Sequence, residues 1–105
     1  MSTLDGPDED NPKRQAICEM LESRQESALL MDGYEDAIIG LVENKGLHVI
    51  YSRTKMIECD MARGMSHEEA DEWISYNPER AIPYMRKFDE HGHSSEPYIM
   101  EDIDA

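Results

Sequence analysis

The apolar positions near the start of the chain repeat at helical spacing. Ile17 and Leu21 fall four residues apart, on the face expected of an amphipathic helix. Asn11 is followed by a proline, which is a typical N-cap and first-turn pair, because the amide oxygen can accept from unpaired backbone N–H groups. The pattern predicts a helix over 12–24, with Gly33 ending any extension of it.

Two short runs rich in β-branched residues follow. They cover 37–42 and 47–51 and are separated by a polar stretch that ends in Gly46. Such runs joined by a short glycine-containing loop are typical of a β-hairpin. We therefore expect two antiparallel strands with Gly46 at the turn.

The second half of the chain carries two sets of helix start and stop signals. Ser52 can cap a helix that Gly64 closes. Ser66 and Glu69 match the capping-box pattern, in which each side chain bonds to the other residue's backbone N–H. Pro78 disfavours helical geometry in the residue before it, so the second helix is expected to end just ahead of it.

The run 81–85 is the last candidate element, and its internal proline restricts it to an edge strand. The predicted order is α-β-β-α-α with a possible final β. This indicates an α+β fold, a hairpin or small antiparallel sheet packed by about three helices. Trp73 shares a helical face with Ala70 and Ile74 and is predicted to lie in the core. Methionines at apolar positions are predicted to fill core gaps: Met20, Met31, Met56, Met61, Met65 and Met85.

Two motifs lie in the middle of the chain: Asp-Gly-Tyr-Glu-Asp-Ala-Ile-Ile-Gly at 32–40 and Met-Ser-His-Glu-Glu-Ala at 65–70. On these motifs, over about 32–85, the chain resembles a family of small proteins encoded by tailed bacteriophages and prophages. Members commonly have Tyr-Asp where this chain has Tyr51 followed by serine, and both residues can cap a helix. The resemblance implies a viral origin. It supplies no catalytic residues, because the family has no established activity.

Charge divides the chain into three parts. The 105 residues carry a net charge of −14, and length alone limits the chain to one domain. Four acidic residues in 1–10 and six in 89–105 are accompanied by no lysine or arginine. We predict an acidic, disordered tail over 1–10, a single domain over 11–88 and an acidic, flexible tail over 89–105.

The sequence favours a soluble protein of the bacterial host cytoplasm. No run approaches the roughly 18 apolar residues that a membrane-spanning helix needs. Cys18 and Cys59 are far apart and form no CxxC pair, which fits a reducing compartment and two small core residues.

Signals for catalysis are weak. The chain has no P-loop, dinucleotide-binding glycine pattern, nucleophile elbow or HExxH motif. His91 and His93 could share a metal ion, but no third ligand accompanies them, and Cys59 has no evident base. We predict no enzyme activity, no cofactor and no metal.

The acidic surface points to a protein partner. Negative charge repels phosphate and steers association toward a basic surface, so direct binding of nucleic acid or membrane is disfavoured. We predict a noncatalytic phage-type accessory protein that binds and modulates a host or viral protein, such as a nucleic-acid-handling or defence factor. Candidate partner-binding residues lie on the second-half helix and in the C-terminal segment: Glu68, Glu69, Asp71, Glu72, Glu96, Tyr98, Ile99, Glu101 and Asp102.

Three alternatives remain open. The chain could be a DNA-mimic inhibitor, although most of its net charge lies in the predicted tails. It could be a small structural protein that self-associates as a homo-oligomer through a methionine-rich or hairpin-edge surface. A metal-dependent enzyme is the least favoured.

Overall fold

Four α-helices and three short strands form the part of the chain that the computed structural model describes, residues 11–103. In chain order they are α1 (Pro12–Ser23), β1 (Ile38–Glu43), β2 (Leu47–Ser52), α2 (Arg53–Ala62), α3 (His67–Tyr76), α4 (Pro78–Met85) and β3 (Tyr98–Met100). A single turn of 3-10 helix, Glu35–Ala37, precedes β1. The predicted α+β class is confirmed. The acidic segment 1–10 lies outside the described residues.

The first helix begins and ends for local reasons. The Asn11 side chain accepts hydrogen bonds from the backbone N–H groups of Lys13 and Arg14, as predicted for an N-cap. Ile17 and Leu21 face the core. The helix stops at Ser23 and is not extended, because Gln25 adopts a left-handed backbone conformation with φ of 57°.

The predicted hairpin is present, and the sheet has a third strand that the sequence did not predict. β1 and β2 pair antiparallel from Ile38 opposite Tyr51 to Glu43 opposite Leu47. β3 pairs with β2 in parallel, giving the order β1-β2-β3. The sheet is therefore mixed rather than antiparallel, and it includes residues beyond 88, the end of the domain predicted from sequence.

The helix caps of the second half form as predicted. Ser52 accepts from the backbone N–H of Lys55 at the start of α2, and Gly64 has a positive φ after its end. At α3, Ser66 and Glu69 make both hydrogen bonds of the capping box.

The prediction of an edge strand over 81–85 is wrong, because these residues belong to α4. Pro78 occupies the first turn of that helix, where no backbone N–H is needed, so the same proline that separates α3 from α4 also begins α4. Pro83 lies inside this short, entirely surface-lying helix, which has no buried residue.

One apolar cluster joins the sheet to α1, α2 and α3. Its buried members are Ile17, Met31, Tyr34, Ala37, Ile38, Val49, Tyr51, Met56, Ile57, Ala70 and Ile74. Of the methionines predicted for the core, Met31 and Met56 are buried, whereas Met20 and Met61 are exposed. Cys18 and Cys59 are free, half-buried and packed against the cluster. Among residues 11–103, no helix has the length and apolar character needed to cross a membrane.

The core contains a tyrosine hydroxyl, that of Tyr51, which makes the fold less stable as pH rises into the alkaline range. Tyr51 is fully buried and its oxygen accepts from the backbone N–H of Met31 at 2.8 Å. Burial raises the pKa of Tyr51 to about 12 from an ordinary value of 10.0. Above pH 10 the unfolded chain therefore releases this proton before the folded protein does, which favours unfolding.

We expect the free energy of unfolding to fall between pH 10 and 12, with Tyr51 contributing about 1.4 kcal/mol per pH unit. Urea titrations at pH 9, 10 and 11 of the wild type and Tyr51→Phe measure this contribution. The difference between the two proteins isolates Tyr51 from other groups that titrate in the same range. A difference that stays constant with pH contradicts the prediction.

Candidate functional site

Three exposed aromatic side chains line one groove on the surface of α3 and α4. The exposed fractions are 48% for Trp73, 64% for Tyr76 and 86% for Tyr84. The groove has a volume of about 750 Å³. We call it the aromatic groove, and its main lining residues are Met31, Tyr34, Trp73, Tyr76, Arg80 and Tyr84.

The local sequence explains why these rings remain outside the core. Ala70 and Ile74 occupy the buried face of α3, and Trp73 lies around the helix by about 100° from Ile74 and about 60° from Ala70. The prediction that Trp73 lies in the core is therefore wrong. Asn77, with φ of −120° and ψ of −82°, changes the direction of the chain, and α4 then lies on the surface with Tyr84 exposed.

The floor of the aromatic groove is held by a polar network. The Tyr34 hydroxyl donates to Asp60 Oδ2 at 2.9 Å, and Arg63 Nη1 donates to Asp60 Oδ1 at 2.6 Å. The Arg63 guanidinium also lies 5.3 Å from the centre of the Tyr34 ring. Burial, together with the hydrogen bond to Asp60, raises the pKa of Tyr34 above its ordinary value. The floor of the groove therefore includes the neutral Tyr34 side chain, which the Asp60 carboxylate holds in place through a hydrogen bond.

A row of carboxylates lies on the same helix as two of the aromatic rings. α3 contains four acidic residues and no lysine or arginine. Glu69 and Glu72 line a second hollow of about 320 Å³, which shares Trp73 and Tyr76 with the aromatic groove. The Ser66 backbone N–H donates to Glu69 Oε1 at 2.9 Å, and this hydrogen bond of the capping box is the main cause of the lowered pKa of Glu69.

The remaining acidic residues of α3 differ in their contacts. Asp71 forms an ion pair with Arg53, so part of its charge is compensated within the fold. Glu68 is exposed in the first turn. Of the four α3 residues predicted to bind a partner, Glu69 and Glu72 are the ones that the structure brings beside Trp73.

Four of the five candidate residues of the C-terminal segment contact the fold, and none of the five lines the aromatic groove. Glu96 is buried and Ile99 packs against the core. The Tyr98 ring stacks on His48 with a centroid distance of 4.2 Å. Asp102 accepts from the Ser52 hydroxyl at 2.7 Å, and this bond is the main cause of its lowered pKa. Glu101 is exposed.

The surroundings of the groups considered for catalysis are as follows. Between residues 11 and 103, no three His, Cys, Asp or Glu side chains are grouped to hold a metal ion. The backbone N–H groups of His91 and His93 donate to Asp89 and hold its pKa below the ordinary value. Burial raises the pKa of Cys59, which favours the unreactive thiol.

Comparison of the chain with protein-family models, curated proteins and solved structures finds no match. Exposed aromatic side chains and neighbouring negative charge occur together at the aromatic groove and at Glu69 and Glu72 of α3, which we call the acidic face of α3.

Sequence reasoning missed Tyr76 and Tyr84 and assigned Trp73 to the core. The available signal was Pro78, because a proline can begin a helix as well as end one. Interpreting the residues after Pro78 as a second surface helix would have placed Tyr84 on a face near α3. The pattern alone does not show which way that helix points.

Proposed function

We propose that this protein is a noncatalytic, phage-type accessory protein that binds a basic segment of a host or viral protein in the aromatic groove. The observation that carries the proposal is the grouping of Trp73, Tyr76 and Tyr84 on the surface beside an α3 face that bears carboxylates and no lysine or arginine. The proposed setting is the host cytoplasm. The proposed consequence is modulation of the partner, such as a nucleic-acid-handling or defence factor.

The aromatic rings supply the expected binding energy. Tryptophan, tyrosine and arginine are the residue types enriched among interface positions that contribute most to affinity. All three types line the aromatic groove, where the Arg80 guanidinium lies 5.8 Å from the centre of the Tyr76 ring. An apolar partner side chain covering Trp73 and Tyr84 would remove both rings from water.

The acidic face supplies the expected selectivity. A partner segment with lysine or arginine beside its apolar side chains would meet Glu69 and Glu72, which flank Trp73. The net charge of −14 would accelerate the encounter at low ionic strength. Binding should therefore weaken as salt is raised.

A synthetic peptide tests the chemistry of the groove directly. Trp73 is the one tryptophan of the chain, so its fluorescence reports on this site alone. We expect an amphipathic leucine-lysine peptide to shift the Trp73 emission to shorter wavelength in a saturable manner at low salt. The matched leucine-glutamate peptide should produce no shift. Equal responses to both peptides, or none to either, contradict a groove selective for a basic apolar segment.

Substitution of the rings tests their role in capturing a natural partner. Trp73→Ala combined with Tyr84→Ala should reduce retention of a specific partner from bacterial lysate by about 30-fold or more, the effect of losing roughly 2 kcal/mol. Phe88→Ala is the matched control, because Phe88 is 64% exposed and does not line the groove. A partner retained equally by all three proteins shows that the groove is not its binding surface.

A further inference from the structure

The His48 ring is enclosed between the hairpin turn and the segment that leads into β3. It is 1% exposed. Its Nδ1 lies 2.7 Å from the backbone carbonyl oxygen of Glu96, and its Nε2 lies 2.9 Å from the backbone carbonyl oxygen of Asn44. Both ring nitrogens are therefore at hydrogen-bond distance from a carbonyl.

This geometry determines how many protons the ring carries. A carbonyl oxygen only accepts, and a neutral imidazole has one N–H, so a neutral ring would direct a lone pair at one of the two oxygens. An imidazolium donates to both. The 2.7 Å separation is also in the range of hydrogen bonds from a charged donor.

A counter-charge lies next to the ring. Glu96 is 3% exposed, and its Oε1 lies 3.8 Å from His48 Nδ1. That oxygen has no hydrogen-bond partner among the described residues, whereas Oε2 accepts from Arg86 Nε at 3.0 Å. A buried carboxylate is stable only when it is paired, and the imidazolium supplies a positive charge on the side of Oε1.

The groups around the ring come from three parts of the chain. The segment before and within β3 contributes Glu96 and the Tyr98 phenol, whose ring stacks on His48. Arg86, after α4, reaches the cluster through Glu96. The hairpin contributes the carbonyl and the side chain of Asn44, and the side-chain amide donates to the Tyr98 hydroxyl at 2.9 Å.

We propose that His48 is a buried imidazolium that clasps the segment leading into β3, and that loss of its proton releases β3 from β2. The proton is bound by the attached state, so attachment is favoured at low pH and weakens as pH rises. Deprotonation removes one of the two hydrogen bonds and leaves Glu96 without its nearest cation on that side. His48 and Glu96 do not line the aromatic groove.

The charge state can be measured without perturbing the fold. In protein labelled with ¹⁵N in its histidine rings, we expect both nitrogens of His48 to show the chemical shifts of protonated imidazolium nitrogens at pH 7. His48→Gln identifies the signals by removing them. One protonated and one unprotonated nitrogen in the folded protein at pH 7 overturns the proposal.

The clasp is tested by following β3 while pH rises. The backbone carbon shifts of Tyr98 to Met100 should move toward unstructured values in the same transition in which the His48 ring loses a proton. In Glu96→Gln, which keeps the backbone carbonyl but loses the charge, both changes should move together to lower pH by about one unit. The proposal is overturned if the backbone carbon shifts of β3 do not change in the transition in which the His48 ring loses its proton. It is also overturned if they change equally with pH in His48→Gln.

Discussion

Replacing Gly46 with alanine is expected to reduce the free energy of unfolding by about 3 kcal/mol. Gly46 has φ of +124°, a conformation that residues with a Cβ rarely adopt. An added Cβ would also overlap the carbonyl oxygen of Ser94 and lie 2.9 Å from its carbonyl carbon. Both atoms are backbone, so relief requires moving the segment that Ser94 anchors through its N–H bond to Lys45 O.

The matched control for this prediction is Gly64→Ala. Gly64 has φ of +105°, and nothing lies within 4 Å of an added Cβ, so this variant carries the backbone strain without the collision. We expect it to cost about 1 kcal/mol. Urea unfolding followed by circular dichroism measures both. Equal losses for the two variants would show that the approach of Ser94 to Gly46 contributes nothing.

Gly46 also shows how far the sequence could predict this fold. Its place in a hairpin turn follows from the residues on either side, because turn geometry is local. Its contact with Ser94 joins positions 48 residues apart, and no local pattern records such a pairing. The same reason explains why β3 was missed: three residues that pair in parallel after three intervening helices carry little periodicity of their own.

The caps were predictable because they depend on neighbouring residues. Asn11, Ser52 and Ser66 each bond to backbone groups within three residues, and all three begin helices as expected. Pro78 was ambiguous, since the same residue type ends one helix and begins another. That ambiguity concealed α4, and with it half of the aromatic groove.

The sequence predicted the negative charge of the candidate site but not the aromatic groove beside it. The acidic character of α3 is evident from composition, and Glu69 and Glu72 do lie beside Trp73. The exposure of Trp73 depends on which of two adjacent helical positions faces the core. Ala70 and Ile74 face the core because they pack in the apolar cluster, and α2 is a neighbouring helix of α3 there.

Replacing Asp60 with alanine is expected to cost about 3 kcal/mol or more, because it removes a buried carboxylate that accepts two hydrogen bonds and leaves the Tyr34 hydroxyl without an acceptor. Asp60 is 1% exposed and accepts from both Tyr34 and Arg63. Its removal leaves the Tyr34 hydroxyl without its acceptor and frees the Arg63 guanidinium, which also donates to Gly33 O. Chemical unfolding of the variant measures the loss.

Two milder variants separate the parts of this network. Tyr34→Phe removes one hydrogen bond and keeps the pair between Asp60 and Arg63, so it should cost only about 1 kcal/mol. Asp60→Asn keeps the side-chain shape but removes the charge. Its loss of stability should lie between those of Tyr34→Phe and Asp60→Ala. Because the hydrogen bond and charge of Asp60 both raise the pKa of Tyr34, that phenol should also ionise at lower pH in Asp60→Asn. An Asp60→Ala variant no less stable than Tyr34→Phe would show that Arg63 and Asp60 contribute nothing as a pair. The floor of the aromatic groove would then depend on apolar packing alone.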